Sequence, residues 1–188
     1  MAGELDLTTP IEVKVESVSQ LFDTLDPFPF PERDLDKDAE EYIVGWAREL
    51  PRDAPITIVI HLPESELAKH DPGTLASALG RFFEYRSGIL LRDLNELFRV
   101  GRTALFIGAS VLALCLLGAR LAASQLDETP VGRFVQESLV ILGWVANWKP
   151  IEIFLYDWWP LVRRRNLYRR LANASVQLKS FEQAPGLH

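Results

Sequence analysis

Hydrophobic and polar positions change rhythm several times along the chain. Ile11, Val13 and Val15 alternate with Glu12, Lys14 and Glu16, the period-two pattern of a half-buried strand. A short helix is expected over 18–25. The DPFPFPERDLD stretch that follows holds three prolines and predicts an irregular connection whose Phe28 and Phe30 dip into the core. Ala39, Tyr42, Ile43, Trp46, Ala47 and Leu50 then recur at helical spacing. Asp36 stands at the N-cap of that helix, Asp38, Glu40 and Glu41 complement its positive end, and Pro51 stops it. Residues 56–62, ITIVIHL, form an unbroken apolar, β-branched run expected of a strand covered on both faces.

From Thr74 to Phe98 one long helix is expected. Leu75, Leu79, Phe82, Phe83, Leu90, Leu94 and Leu97 make its apolar stripe, and Arg81, Glu84, Arg92, Asn95 and Arg99 line the other side. The stripe lacks a clean heptad repeat and its polar side carries both signs, so a core helix is favoured over an oligomerisation seam or a helix lying on a bilayer.

Thr103 to Ala119 is free of charge for about 17 residues, near the lower limit for crossing a hydrocarbon core, and 121–123 extend it if Arg120 snorkels. Gly108, Gly118 and Ala122 are small residues through which a second helix can approach closely. That second helix is expected over 134–161, although Glu137, Asn147, Lys149, Glu152 and Asp157 interrupt it. Arg99 and Arg102 precede the first span, and Arg163, Arg164, Arg165, Arg169 and Arg170 follow the second. The positive-inside rule places both clusters in the cytoplasm, which needs two crossings. Trp158 and Trp159 beside the arginines read as interface anchors. Counting back from them puts Asn147, Lys149 and Pro150 near the midplane, with a kink at Pro150 because proline cannot donate to the Ala146 carbonyl. Lys149 and Glu152, three apart, share a face and neutralise each other. Such a pair is a candidate ion or proton path, or the polar glue of an oligomer; the glue is favoured, because two spans per chain do not enclose a path.

Charge divides the chain in the same place. Up to Phe98 there are 9 Lys+Arg against 20 Asp+Glu, and 11 against 6 thereafter. An acidic head offers no clustered cations for phosphate, so nucleic acid is the least expected partner. The bilayer and a second copy of the chain are the expected ones, with a membrane or cytoplasmic protein as a further partner. The acidic N-terminus MAGELDLTTP lacks the apolar core of a signal peptide. Cys115, the single cysteine, excludes an internal disulfide.

The organisation expected is an α+β membrane protein. Residues 1–71 form a small cytoplasmic α+β head of two strands and two to three helices. An amphipathic stalk helix covers 72–98, a transmembrane hairpin 99–162 with spans of about 103–123 and 134–161, and a basic cytoplasmic tail 163–188. The stretches ERDLDKDAEEYIVGWARELP, ITIVIHLP and ESLVILGWVANWKPIEIFLYDWWPLVRRRNLYRRLA resemble a family of small uncharacterised bacterial inner-membrane proteins, the GWVxxWxPxEIFLYDWWP pattern being the specific part. The resemblance implies a two-span anchor in the inner membrane with both termini cytoplasmic, and implies no activity or cofactor. It also implies that the basic charge beside Pro150 matters more than the Asn147 amide.

No catalytic, cofactor or metal motif stands out. His61, Glu64, Glu66 and His70 do not match a helical ligand spacing, and Glu32, Asp34, Asp36 and Asp38 lack the turn glycine of a calcium loop. Without a nucleophile motif or a phosphate cradle, an enzyme working through the acidic head is the last choice. A self-associating scaffold or accessory subunit is expected first, and an oligomeric channel or transporter second.

Overall fold

The computed structural model of the chain describes residues 10–23, 32–125 and 129–181. It is mostly helical, with a small parallel sheet and two helices, Pro72–Gln125 and Pro130–Ala172, long and apolar enough to cross a membrane by length and composition. The residues fall into two compact units. One holds the chain up to Ile89 together with everything from Arg164 onward; the other is Leu90–Arg163.

In the first unit the elements are β1 (Ile11–Lys14), a single 3-10 turn (Val18–Leu21), α1 (Lys37–Glu49), β2 (Thr57–Pro63), α2 (Glu64–Leu67), the start of α3 (Pro72–Gln125), the end of α6 (Trp158–Ala172) and β3 (Ser175–Phe181). The expected helix over 18–25 is therefore shorter, and its last residues, like Phe28 and Phe30, lie outside the described residues. The Asp36 carboxylate accepts from the amides of Asp38 and Ala39, closing the first turn of α1.

Among the described residues this unit has three strands, not the two expected of the head. They run parallel in the order β1-β2-β3, and the third comes from what reads in the sequence as a basic tail. Burial explains the long apolar run of β2: as the central strand it buries Ile58, Val59, Ile60 and Leu62. Ile11, Val13, Ile58 and Ile60 share one face with Val176 and Leu178 by register. Ile43, Val44 and Ala47 of α1, Leu75, Leu79 and Phe83 of α3, and Leu171 of α6 complete the core. The first half of the α3 stripe is thus a core surface, as its mixed-charge far side suggests.

The second unit is a helical hairpin. Here α3 runs beside α4 (Pro130–Ala146), α5 (Trp148–Glu152), a π turn (Ile153–Asp157) and the first turns of α6. Thr129 caps α4 through the Gly132 amide, with Pro130 in the first turn. The second helix breaks at Asn147, three residues ahead of the proline that causes it. Pro150 has no amide for the Ala146 carbonyl, so the chain tightens locally, Asn147 donating to the Trp144 carbonyl and Ile151 to that of Asn147.

Candidate functional site

The polar and small residues of interest fall into three groups. The first is the helix contact of the hairpin. A Cβ added to Gly108 would stand 2.8 Å from the Ala146 carbonyl oxygen and 2.8 Å from Asn147 Oδ1. The acceptor that Pro150 releases therefore faces a position with no side chain. Asn147 is buried and its Nδ2 donates both to the Gly108 carbonyl (3.0 Å) and to the Gly143 carbonyl (2.9 Å). Gly143 in turn meets Leu112 and Cys115, and Gly101 meets Ile153 and Phe154, whose ring stacks on Phe98. Gly118 makes only ordinary contact with Leu139 at 3.4 Å, and Ala122 is half-buried. The closest approach is thus built on Gly101, Gly108 and Gly143. Sequence spacing points to Gly118 and Ala122 because it shows which residues are small on one helix, and not which of them meets the other.

The second group is polar and faces outward from that contact. Lys149 Nζ lies 3.0 Å from Glu152 Oε2 and 3.5 Å from Asp157 Oδ2, with Lys149 and Glu152 side chains 62% and 43% exposed. One ammonium between two carboxylates lowers the cost of all three charges in an apolar setting, and both partners lie on the Trp158 side of the lysine. Pro150 and Asn147 are both buried, the Asn147 amide turned to the Gly108 carbonyl and away from the exposed lysine. The four residues Asn147, Lys149, Pro150 and Glu152 therefore do not converge on one cavity: the amide ties helices together, whereas the ion pair stands on the surface. Trp158 and Trp159 are neighbours at 6.1 Å between ring centroids, the Trp158 indole donating to the Phe154 carbonyl. Of the arginines, Arg163 and Arg164 are exposed, and the Arg164 guanidinium lies over the Tyr168 ring.

The third group is one that sequence reasoning missed. Glu40, expected to serve only the α1 dipole, is buried and joins α1 to two other helices of the head. It accepts from Arg86 Nη2 of α3 and from the Tyr168 hydroxyl of α6, both at 2.5 Å. Burial opposes the charge on Arg86, but the Glu40 hydrogen bond and charge outweigh it and raise the guanidinium above its ordinary value. Burial first, and then the Glu40 hydrogen bond, raise the Tyr168 phenol. Nearby, Arg170 donates to the carbonyls of Pro51 and Ala54 and so fixes the loop before β2. The only trace of this network in the sequence is a glutamate on the apolar side of α1, at helical spacing with Ile43, Val44 and Ala47.

An open cleft lies at the carboxyl ends of the strands, lined by Glu12, Lys14, Asp36, Asp38, Tyr42 and His61. Most of its groups already have partners. His61 Nε2 is 3.7 Å from Glu12, Lys14 Nζ sits over the Phe181 ring, and Asp36 caps α1. His70 pairs instead with Glu66 at 3.8 Å, and among the described residues the four His and Glu residues weighed as metal ligands do not gather into one group. The Lys69 hydrogen bond, joined by the charges of Lys69 and His70, lowers Glu66. Among the described residues the cleft offers ion pairs and helix caps. Compared with protein-family models, curated protein sequences and solved structures, the chain returns no match.

Proposed function

We propose that the chain is a membrane-anchored, self-associating scaffold or accessory subunit, with Leu90–Arg163 as a two-crossing anchor and the α/β unit as its cytoplasmic head. The observation that carries this reading is the third strand. The chain leaves the sheet unit at Ile89, rejoins it from Arg164, and pairs β3 with β2 along seven residues. Any membrane it traverses is thus crossed an even number of times. The apolar windows of the two helices are only 17% and 22% buried. Phe106, Leu114, Phe134 and Trp148 project outward, a surface that water disfavours and lipid accepts. Arginines at both ends of the hairpin put the head on the cytoplasmic side.

The register of the hairpin supports a place for the ion pair to one side of the membrane centre. Gly108 is level with Ala146 and Asn147, and Gly118 with Leu139. The middle of the Thr103–Ala119 run then stands near Trp144 and Val145, so Lys149 lies about 7 Å from it and Glu152 about 11 Å, at roughly 1.5 Å per residue. With a half-thickness of about 15 Å, the pair belongs between the centre and the headgroup boundary on the Trp158 side, where Lys149 snorkels toward Glu152 and Asp157. A channel or transporter reading needs polar groups beyond Asn147, and residues 139–146 are LVILGWVA.

Reporter fusions test the arrangement. Fusions at either terminus are expected to report the cytoplasm and a fusion between residues 125 and 130 the opposite side; a chain released from membranes by carbonate wash would overturn the anchor. Light scattering of the detergent-extracted chain tests self-association, and a monomer at every concentration would remove that part.

A further inference from the structure

The two edges of the sheet are treated differently. On β1 the Val15 amide bonds to the His61 carbonyl, so the backbone groups of Glu12, Lys14 and Glu16 face outward. Two of these are taken by the chain's own side chains: the Tyr42 hydroxyl donates to the Glu12 carbonyl, and the Glu16 amide donates to Gln20 Oε1. That edge is blunted. On β3 the Ser175 amide bonds to the Ile56 carbonyl, so the amides and carbonyls of Val176, Leu178 and Ser180 face outward. Among the described residues nothing bonds to them. Val176 and Leu178 are only half-buried although their row faces the core side of the sheet.

We propose that two copies of the chain join through their β3 edges, antiparallel and centred on Leu178, to make one continuous sheet. This rests on the self-associating reading above and names its surface and partner. The pattern of outward groups is self-complementary about Leu178. Leu178 faces its own copy and Val176 faces Ser180 of the other chain, which uses every outward amide and carbonyl in about six hydrogen bonds. On the opposite face Gln177 stands against Lys179 of the copy, and Ser175 against Phe181. Centring on Lys179 would set two ammonium groups face to face. Centring on Gln177 would lose bonds, because the Ala174 amide already donates to the Leu171 carbonyl. The contact extends the apolar row, bringing Leu178 against Leu178. Because β1 is blunted and β3 is open, the pairing closes at two copies and does not propagate.

Cross-linking tests the register in the full detergent-extracted chain with Cys115→Ala. Chains carrying Gln177→Cys, mixed with chains carrying Lys179→Cys, should form a disulfide between the two variants, since facing residues there lie about 4.5 Å apart at Cα; neither variant should cross-link to itself. Ser180→Pro removes only an outward amide, which an edge strand tolerates, and should weaken dimerisation at least tenfold while leaving the melting temperature of the head unchanged. A dimer by light scattering that lacks the 177–179 cross-link and ignores Ser180→Pro overturns this interface and leaves self-association standing. A monomer at every concentration overturns both. A co-purified protein displaced by Ser180→Pro, with no dimer, overturns self-pairing and assigns the edge to an extended segment of another chain.

Discussion

Replacing Glu40 by alanine should loosen the head and spare the hairpin. The substitution leaves the Tyr168 hydroxyl, in a residue 3% exposed, without its acceptor, which costs about 1–3 kcal/mol for a buried donor. Arg86 is less affected: its side chain is 43% exposed and water replaces part of what it loses, so its share is about 0.5–1 kcal/mol after screening. Together these come to about 1.5–4 kcal/mol, or roughly 1 to 3 decades in the opening equilibrium at about 1.4 kcal/mol per decade. Hydrogen exchange of the 37–49 segment, followed by mass spectrometry in detergent, reads that opening locally. Exchange there should accelerate about 10- to 1000-fold, while the amides of the hairpin keep their protection. Tyr168→Phe should cost less, about 1 kcal/mol, since Glu40 keeps Arg86. In the double variant the two losses should overlap by about 1 kcal/mol or more. An acceleration below about threefold in Glu40→Ala, or strictly additive losses, would refute the claim that this carboxylate holds three helices together.

Gly108→Ala should destabilise the hairpin by about 1–3 kcal/mol in a detergent unfolding titration, because the new Cβ meets backbone at 2.8 Å, whereas Gly118→Ala, at 3.4 Å from a leucine methyl, should change little; equal effects would argue against the close approach described. Asn147→Leu should cost about 0.6–1.7 kcal/mol by the same titration, with a neutral result removing the amide as a tie. The raised Tyr168 phenol gives the head an alkaline limit. Its stabilisation is complete below the ordinary tyrosine value of about 10 and is lost as pH climbs through the higher folded value. Absorbance at alkaline pH should therefore show one late-ionising tyrosine that vanishes in Tyr168→Phe.

Local pattern was enough for several elements. The Asp36 cap with its acidic first turn, the alternation of β1, the unbroken run of β2 and the uncharged stretch after Arg102 each depend on neighbours within a few residues, and each appears where periodicity places it. The third strand was not legible in this way. SVQLKSF has only two aliphatic positions, Val176 and Leu178, too few to stand out after an arginine-rich helix, and it becomes a strand because the β2 edge is there to receive it.

The same limit applies to the candidate sites. Glu40 and Tyr168 are 128 residues apart and Asn147 and Gly108 are 39 apart, so no short-range rhythm connects them. Composition could say that glycines and an amide populate the two apolar helices, but only the register of one helix against the other decides that Gly108 takes the close contact. The sequence determined the apolar lengths and the charges at their ends, because hydropathy and caps are local properties. Tertiary structure decided which carboxylate is buried, which helices touch and which sheet edge stays open, because those depend on packing between segments far apart in the chain.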